Sequence, residues 1–295
     1  MELAERLAGA IVVGCDGSTQ SADAARWAVD RAVDRGKALV LLVASGRDGD
    51  IQPGLLLAEG LTEQVAQAQA IRVDAMAAEL RERNPGVDIR IVTVPERAAQ
   101  TLVDASEYAD PLVIGTRGLG RISAHMLGAV ADQVVTHGRG TIVVVPTSVW
   151  HVPGQQRGDI VVGYDYSPEA NRAMDFAFAE AVEERLPVRV VQALELGELW
   201  NLRPIDVLGP HDPVVQHESR LESAVAPWRE RHPNVGVRCL VRQGATASVL
   251  LSDESVDASL LVVGNRGLGG FVGLMLGSTT RRLLHGARCP VAVVR

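Results

Sequence analysis

The chain contains the segment Leu112-Val113-Ile114-Gly115-Thr116-Arg117-Gly118-Leu119-Gly120, and 149 residues later it contains Leu261-Val262-Val263-Gly264-Asn265-Arg266-Gly267-Leu268-Gly269. The same offset relates Ile11-Val12-Val13-Gly14-Cys15-Asp16-Gly17-Ser18 to Ile160-Val161-Val162-Gly163-Tyr164-Asp165-Tyr166-Ser167. Two pairs of segments that keep one register over so long a stretch indicate a tandem duplication. The repeated unit is about 146 residues long.

The duplication divides the chain into two domains, as its length of 295 residues also suggests. In the middle of the unit, Asn84-Pro85 aligns with His232-Pro233 at an offset of 148, so the register slips there by one residue. We assign the domains to residues 1–147 and 158–295, joined by a linker that contains proline and glycine near residues 146–158.

Apolar runs alternate with helical segments along each unit. Continuous runs of Val, Ile and Leu are typical of strands that are buried on both faces of a parallel sheet. The alternation predicts an α/β domain in which helices flank a mostly parallel sheet. In the first unit we predict strands over 10–13, 38–44, 89–94, 112–114 and 141–145, and helices over 21–35, 63–83, 97–108 and 122–137.

The composition excludes several classes of protein. Thirty-six acidic against 29 basic residues give a net charge of −7, which argues against a nucleic-acid partner. The single lysine, Lys37, is followed by Ala38 rather than the Ser or Thr of a P-loop, so Walker-type ATPase chemistry is excluded.

The three cysteines and seven histidines show no metal-ligand spacing, so we predict neither a zinc site nor a disulfide framework. No apolar run is long enough to span a membrane, and the N-terminus lacks the pattern of a signal peptide. We therefore expect a cytoplasmic protein without a membrane partner.

A glycine pattern follows the fourth predicted strand of both units. Two glycines with two residues between them are followed, nine residues later, by a third glycine, and in the second unit Ser278 and Thr279 come next. Glycines let a backbone approach a ligand closely, and N–H groups at the start of a helix form an anion site. The pattern favours phosphate binding, although a glycine-rich turn without a ligand is the structural alternative. These glycines are Gly115, Gly118 and Gly128 in the first unit and Gly264, Gly267 and Gly277 in the second.

An aspartate ends the first strand of each unit. Asp16 and Asp165 could accept hydrogen bonds from ribose hydroxyls or hold a metal ion that is bound to phosphates. The alternative is a helix N-cap or turn aspartate, aided by Ser18 or Ser167. A dinucleotide fingerprint is rejected, because the segment from Gly118 lacks the third glycine and does not follow the first strand.

Together with Cys289-Pro290-Val291-Ala292-Val293-Val294, these motifs resemble the universal stress protein family, and more narrowly its tandem-domain members from actinobacteria. The resemblance implies two tandem Rossmann-like domains of the adenine nucleotide alpha hydrolase-like type, each with a five-stranded, mostly parallel sheet. It implies ATP as the ligand, with or without Mg²⁺, and a nucleotide-dependent regulator or sensor of the stress response without efficient catalysis. It also implies a homodimer and a regulatory protein partner of unknown identity.

Carried over by position, the resemblance implies binding residues in both units. The aspartates would face ribose, the glycines and hydroxyls would cradle phosphates, and Ala44 or Ala193 with Ile114 or Val263 would border adenine. In the first unit the residues are Gly14, Asp16, Ala44, Ile114, Gly115, Arg117, Gly118, Gly128 and Ala129. In the second they are Gly163, Asp165, Ala193, Val263, Gly264, Arg266, Gly267, Gly277, Ser278 and Thr279.

Two residues depart from the family pattern. Ala129 stands where a Ser or Thr is expected, which predicts weaker binding in the first unit, and Tyr166 replaces a glycine after Asp165. Two other functions remain open at this point. One is a slow hydrolase in which Asp16 or Asp165 holds Mg²⁺, and the other is a scaffold of the same fold that binds no nucleotide.

Overall fold

The computed structural model describes residues 3–46, 59–116, 118, 127–147, 158–195, 213–254, 256–268 and 275–295. The chain divides into two compact units, Met1–Ser148 and Val149–Arg295, which we call unit 1 and unit 2. Both are α/β units in which strands and helices alternate, as the sequence predicts.

Unit 1 contains short buried strands and longer helices. Its strands are β1 (Ile11–Gly14), β2 (Leu39–Gly46), β3 (Ile89–Arg97), β4 (Leu112–Gly115) and β5 (Ile142–Val145). Its helices are α1 (Leu3–Leu7), α2 (Thr19–Arg35), α3 (Glu59–Arg83), α4 (Ala98–Ala105) and α5 (Ala129–His137).

Unit 2 repeats this order from its first strand onwards. Its strands are β6 (Ile160–Gly163), β7 (Val188–Leu194), β8 (Val237–Gln243), β9 (Leu260–Gly264) and β10 (Val291–Val294). Its helices are α6 (Pro168–Glu184), α7 (Pro213–Arg231), α8 (Thr246–Val249) and α9 (Ser278–Gly286), and a π-helical turn over Leu250–Glu254 continues α8.

The strand order places a switch point in each unit. The order is β3-β2-β1-β4-β5 in unit 1 and β8-β7-β6-β9-β10 in unit 2, and the neighbouring strands within each unit run parallel. The strands that follow β1 in the chain, β2 and β3, lie on one side of it, whereas β4 and β5 lie on the other side. The strands of unit 2 are arranged in the same way around β6. In open parallel sheets, ligands bind beyond the carboxyl ends of the strands at such a point.

The core of each unit is the set of central strands, because their side chains are buried on both faces. Ile11, Val12 and Val13 of β1 and Val161 and Val162 of β6 are fully buried. This burial explains why the strands lack the alternation of apolar and polar residues that half-buried strands show.

Serine caps and left-handed residues set the ends of the helices that follow the first strands. The hydroxyl of Ser18 accepts a hydrogen bond from the N–H of Ser21, and that of Ser167 accepts one from the N–H of Ala170. Of the alternative for the preceding aspartates, the helix-cap part is therefore wrong. The turn part agrees with the structure, because Asp16 and Asp165 each accept a hydrogen bond from the N–H two residues later. At the other ends, Gly36 and Arg185 adopt the left-handed conformation at φ 59° and 55°.

The predicted elements of unit 1 differ from the structure by one to seven residues at one or both ends, and two of these differences have a clear cause. The helix predicted over 122–137 begins at Ala129 with Gly128 as its N-cap, while residues 122–126 lie outside the described residues. Strand β3 continues past Pro95 to Arg97. Its pairing with β2 shifts register across Pro95, from Val94 with Ala44 to Arg97 with Gly46, and an edge strand tolerates proline at such an irregularity.

Among the described residues, each helix is too short or too polar to cross a bilayer.

Candidate functional site

A cavity of about 340 Å³ lies in unit 1, where β1, β2 and β4 end. Its walls are mostly apolar, with polar atoms from a carboxylate, a hydroxyl and an amide. The residues that line it are Gly14, Cys15, Asp16, Ser21, Leu42, Ala44, Gln69, Ala98, Leu102, Ile114, Gly115, Gly118, Gly128, Ala129, Val130 and Ala131.

The structure brings most of the residues predicted for the first site together around this cavity. They come from four separate parts of the chain: the ends of β1, β2 and β4, and the start of α5. The predicted residues that line it are Gly14, Asp16, Ala44, Ile114, Gly115, Gly118, Gly128 and Ala129. Arg117 lies outside the described residues.

The sequence analysis missed the walls that helices contribute. Gln69 comes from α3, and Ala98 and Leu102 come from α4. For the leucine, the duplication offered a signal. Leu102 corresponds to Leu250 at the offset of 148, so the same residue type recurs at this position in both units. Nothing in the sequence indicated which face of α3 turns toward the site.

A glycine at the end of the first strand lets a leucine pack against the sheet, from α4 in unit 1 and from the π-helical turn after α8 in unit 2. A Cβ atom on Gly14 would lie 2.9 Å from Cδ2 of Leu102, and one on Gly163 would lie 2.9 Å from Cδ1 of Leu250. Both distances are shorter than van der Waals contact, so a larger residue would displace the leucine. The two units build this wall in the same way.

The carboxylate after each first strand organises a turn. Oδ1 of Asp16 accepts a hydrogen bond from the N–H of Ser18 at 2.9 Å, and Oδ1 of Asp165 accepts one from the N–H of Ser167 at 3.1 Å. Oδ2 of Asp165 also accepts a bond of 2.9 Å from the N–H of Leu268. Each carboxylate oxygen has a second lone pair, so a ribose hydroxyl could still donate to it.

The second glycine of each pattern lies directly against this carboxylate. A Cβ atom on Gly118 would overlap Oδ2 of Asp16, and a Cβ atom on Gly267 would overlap Oδ2 of Asp165. Glycine is needed at both positions because the loop approaches the aspartate so closely.

The third glycine of each pattern begins a helix. Gly128 donates its N–H to the carbonyl oxygen of Thr116, and Gly277 donates its N–H to that of Asn265, both at 2.8 Å. Ala129 in unit 1 and Ser278 in unit 2 are therefore the first residues of α5 and α9. The N–H groups of the first helical turn have no partner within their own helix and carry the positive end of the helix dipole.

The remaining residues predicted for unit 2 occupy the positions that correspond to those of unit 1. Val263 packs 3.2 Å from the site of a Cβ on Gly163, and Ala193 lies near the end of β7. Thr279 is the second residue of α9. Arg266 forms an ion pair of 3.6 Å with Glu169 of α6. A Cβ atom on Gly264 would lie 2.7 Å from Cβ of the same Glu169.

Tyr166 distinguishes the second unit from the first. It adopts φ 66°, the conformation that Gly17 adopts in unit 1 at 76°. Its hydroxyl donates to Oε1 of Gln192 at 3.0 Å, and its ring centroid lies 5.0 Å from that of Tyr164. Burial raises the pKa of Tyr166, while the nearby guanidinium of Arg220 acts in the opposite direction.

The cavity of unit 1 contains a thiol. Burial raises the pKa of Cys15 above its usual value, and the charge of Asp16 raises it further. The neutral thiol therefore forms part of the apolar wall at neutral pH. Over the described part of the chain, no group of three or more His, Cys, Asp or Glu side chains is arranged to hold a metal ion.

Comparisons with known proteins agree with this architecture. The model of the universal stress protein family matches residues 9–146 and again residues 157–295. A universal stress protein of Mycolicibacterium smegmatis is 31% identical over 299 residues, which cover 97% of this chain and 96% of that protein.

Solved structures of universal stress proteins are also similar. One from Archaeoglobus fulgidus matches 98% of this chain and 97% of its own with a TM-score of 0.68 at 16% identity, so it shares the fold. A universal stress protein in complex with cAMP matches 48% of this chain and 98% of its own, with a TM-score of 0.35 at 24% identity. From the two matches of the family model and the 31% identity to a full-length relative, the chain belongs to the universal stress protein family, as a tandem of two of its domains.

Proposed function

We propose that the chain binds ATP in each unit and acts as a nucleotide-dependent regulator of a stress response, without efficient catalysis. The observation that carries this proposal is the cavity at the switch point of unit 1, lined by Asp16, the glycine loop and the start of α5. Its volume of about 340 Å³ falls in the usual range for small-molecule sites.

The chemistry of the cavity matches the three parts of the nucleotide. Leu42, Ala44 and Ile114 offer an apolar slot for adenine. Asp16 offers a carboxylate to the ribose hydroxyls. Phosphates would receive hydrogen bonds from the N–H groups at the start of α5, where the helix dipole favours negative charge.

Unit 2 offers the same groups with additional hydroxyls. Ser278 and Thr279 stand in the first turn of α9, where unit 1 has Ala129 and Val130. A hydrogen bond to a charged group contributes about 1.5–3 kcal/mol, so one hydroxyl is worth about tenfold in affinity. We therefore propose that unit 2 binds ATP more tightly than unit 1.

Regulation rather than turnover is proposed because the carboxylate of Asp165 is already engaged by the backbone. Both oxygens of Asp165 accept backbone hydrogen bonds, which suits a structural and binding role better than that of a general base. Any Mg²⁺ would be held chiefly by the phosphates of ATP. A ligand that favours one conformation shifts the population toward it, and we propose that this change is sensed by a protein partner of a cytoplasmic homodimer.

The proposal is tested by calorimetry with ATP on the full chain. We expect two binding events, the tighter one lost in Gly277→Asp and the weaker one lost in Gly128→Asp, because each variant places a carboxylate against a phosphate position. Gly86→Asp is the control, since a Cβ atom there meets no neighbour within 4 Å. Mass spectrometry of the purified protein would identify any nucleotide that it retains.

Three results would count against the proposal. Absence of binding by any adenine nucleotide at millimolar concentration would favour a scaffold without a ligand. Loss of the tighter event in Gly128→Asp would reverse the ranking of the sites. Multiple-turnover ATP hydrolysis that Asp165→Asn abolishes would make the protein an enzyme.

A further inference from the structure

We infer that each unit has a subsite for a second phosphate, carried on the 2′ or 3′ position of the ribose of a bound adenine nucleotide. Arg72 forms this subsite in unit 1, and Arg220 forms it in unit 2. This inference rests on the proposed function, because it takes the ribose to lie at Asp16 and Asp165. It adds a class of ligand, adenosine bisphosphates, that the glycine loops and helix starts do not by themselves select.

Arg72 packs on the loop that carries the aspartate of unit 1. Its Nε donates a hydrogen bond of 3.1 Å to the carbonyl oxygen of Gly17, the residue after Asp16. A Cβ atom on Gly17 would lie 3.0 Å from the same Nε, so the guanidinium rests directly on this turn. One helical turn earlier on α3, Gln69 lines the cavity.

Arg220 keeps the corresponding position in unit 2 although the surface beneath it has changed. It follows Arg72 by 148 residues, the offset of this part of the duplication. Its Cζ atom lies 4.4 Å from the ring centroid of Tyr166, the residue after Asp165. The hydrogen bond from the Tyr166 hydroxyl to Gln192 holds the ring in place. Two different contacts therefore hold an arginine against the residue that follows the aspartate.

Both guanidinium groups are available to an anion. Arg72 and Arg220 are exposed, and within the described parts of the chain no carboxylate lies within 4.0 Å of either one. The arginines near the C-terminal ends of the same two helices differ in this respect. Arg83 pairs with Glu79 at 3.1 Å, and Arg231 pairs with Asp175 at 3.3 Å.

The chemistry of the guanidinium selects the ligand. Its planar fork donates two parallel hydrogen bonds to a phosphate, and an ammonium group cannot reproduce that geometry. In dinucleotide-binding sheets, an acidic residue binds the ribose hydroxyl, or an arginine nearby accommodates a 2′-phosphate in its place. Each unit here has both groups, because Arg72 contacts Gly17 and Arg220 contacts Tyr166, the residues that follow the two aspartates.

The test is calorimetry with AMP, adenosine 2′,5′-bisphosphate and adenosine 3′,5′-bisphosphate on the full chain. We expect at least one bisphosphate to bind about tenfold or more tightly than AMP at low salt, since a charge-assisted bond is gained. The Arg72→Gln/Arg220→Gln variant should lose this gain and keep its affinity for AMP. The Arg72→Lys/Arg220→Lys variant should keep part of it. Arg83→Gln/Arg231→Gln is the control, because it removes equal charge from the same helices.

The outcomes separate this inference from the proposed function. If AMP binds and neither bisphosphate binds more tightly, the inference is overturned and the proposed function stands. If Arg72→Gln/Arg220→Gln weakens AMP and the bisphosphates equally, the arginines only position the turn, and the inference is again overturned. If no adenine nucleotide binds to the wild-type protein, the proposed function fails and the inference fails with it. The two bisphosphates show whether the 2′ or the 3′ position is recognised.

Discussion

Oδ2 of Asp165 accepts a hydrogen bond of 2.9 Å from the backbone N–H of Leu268, and this bond ties the end of β6 to the glycine loop that follows β9. The adjacent Gly267 has no side chain, and a Cβ atom there would overlap the carboxylate. The side chain proposed to bind ribose therefore also builds the site in which the ribose would lie. Gly118 lies against Asp16 in the same way.

Substitution of these glycines by alanine should disturb both stability and binding. We expect Gly118→Ala and Gly267→Ala each to lower the free energy of unfolding by about 1–3 kcal/mol, because the new methyl group displaces the carboxylate. Each should also weaken ATP binding in its own unit only. Urea denaturation and calorimetry measure the two effects. Gly86→Ala, where the methyl group meets open space, should change neither.

The difference between the two helix starts can be exchanged between the units. We expect Ala129→Ser to tighten ATP binding in unit 1, and Ser278→Ala to weaken it in unit 2, each by about tenfold. Titration calorimetry on each variant measures the change. An unchanged affinity in both would show that backbone N–H groups alone hold the phosphates.

The left-handed residue after α6 offers a stabilising substitution. Arg185 adopts φ 55° at the position where unit 1 has Gly36, and the strain of a side chain in this conformation costs about 1 kcal/mol. We expect Arg185→Gly to raise the free energy of unfolding by about that amount. Gly36→Ala should lower the free energy of unfolding by a similar amount through the same backbone strain. No steric clash adds to this loss, because a methyl group there meets no neighbour within 4 Å. Thermal and urea unfolding check both; a loss of stability in Arg185→Gly would contradict the argument.

A buried thiol should make the protein less stable in alkali. Burial raises the pKa of Cys289 from 9.0 to about 12, so the folded state holds this proton more tightly than the unfolded state does. The stabilisation is complete below pH 9 and is lost as the pH rises from 9 to 12. We expect the free energy of unfolding to fall less steeply over this range in Cys289→Ala than in the wild type. Val293→Ala removes a buried side chain that does not titrate, so it should lower stability with the wild-type slope.

The sequence was sufficient to predict the repeated α/β units and eight of the sixteen residues that line the cavity of unit 1. Continuous apolar strands can be buried only between layers of helices, and the ends of parallel strands meet at one edge of the sheet. These two constraints bring Asp16, Ala44 and Gly115 together although they are far apart in the chain. The duplication supported the prediction of these site residues, because the same motifs recur in unit 2 at a constant offset of 149 residues.

Long-range packing decided the rest. Gln69 lines the cavity and Arg72 contacts the turn at Gly17 only because α3 lies against this turn, and no local pattern in a long helix shows which of its faces does so. Whether Asp165 caps a helix or ties a loop depended on Leu268, which is 103 residues away. The start of α5 at Ala129 was likewise decided by the bond from Gly128 to Thr116. Contacts between distant segments depend on the packed structure as a whole, so the order of residues predicts the elements more readily than the contacts that complete the site.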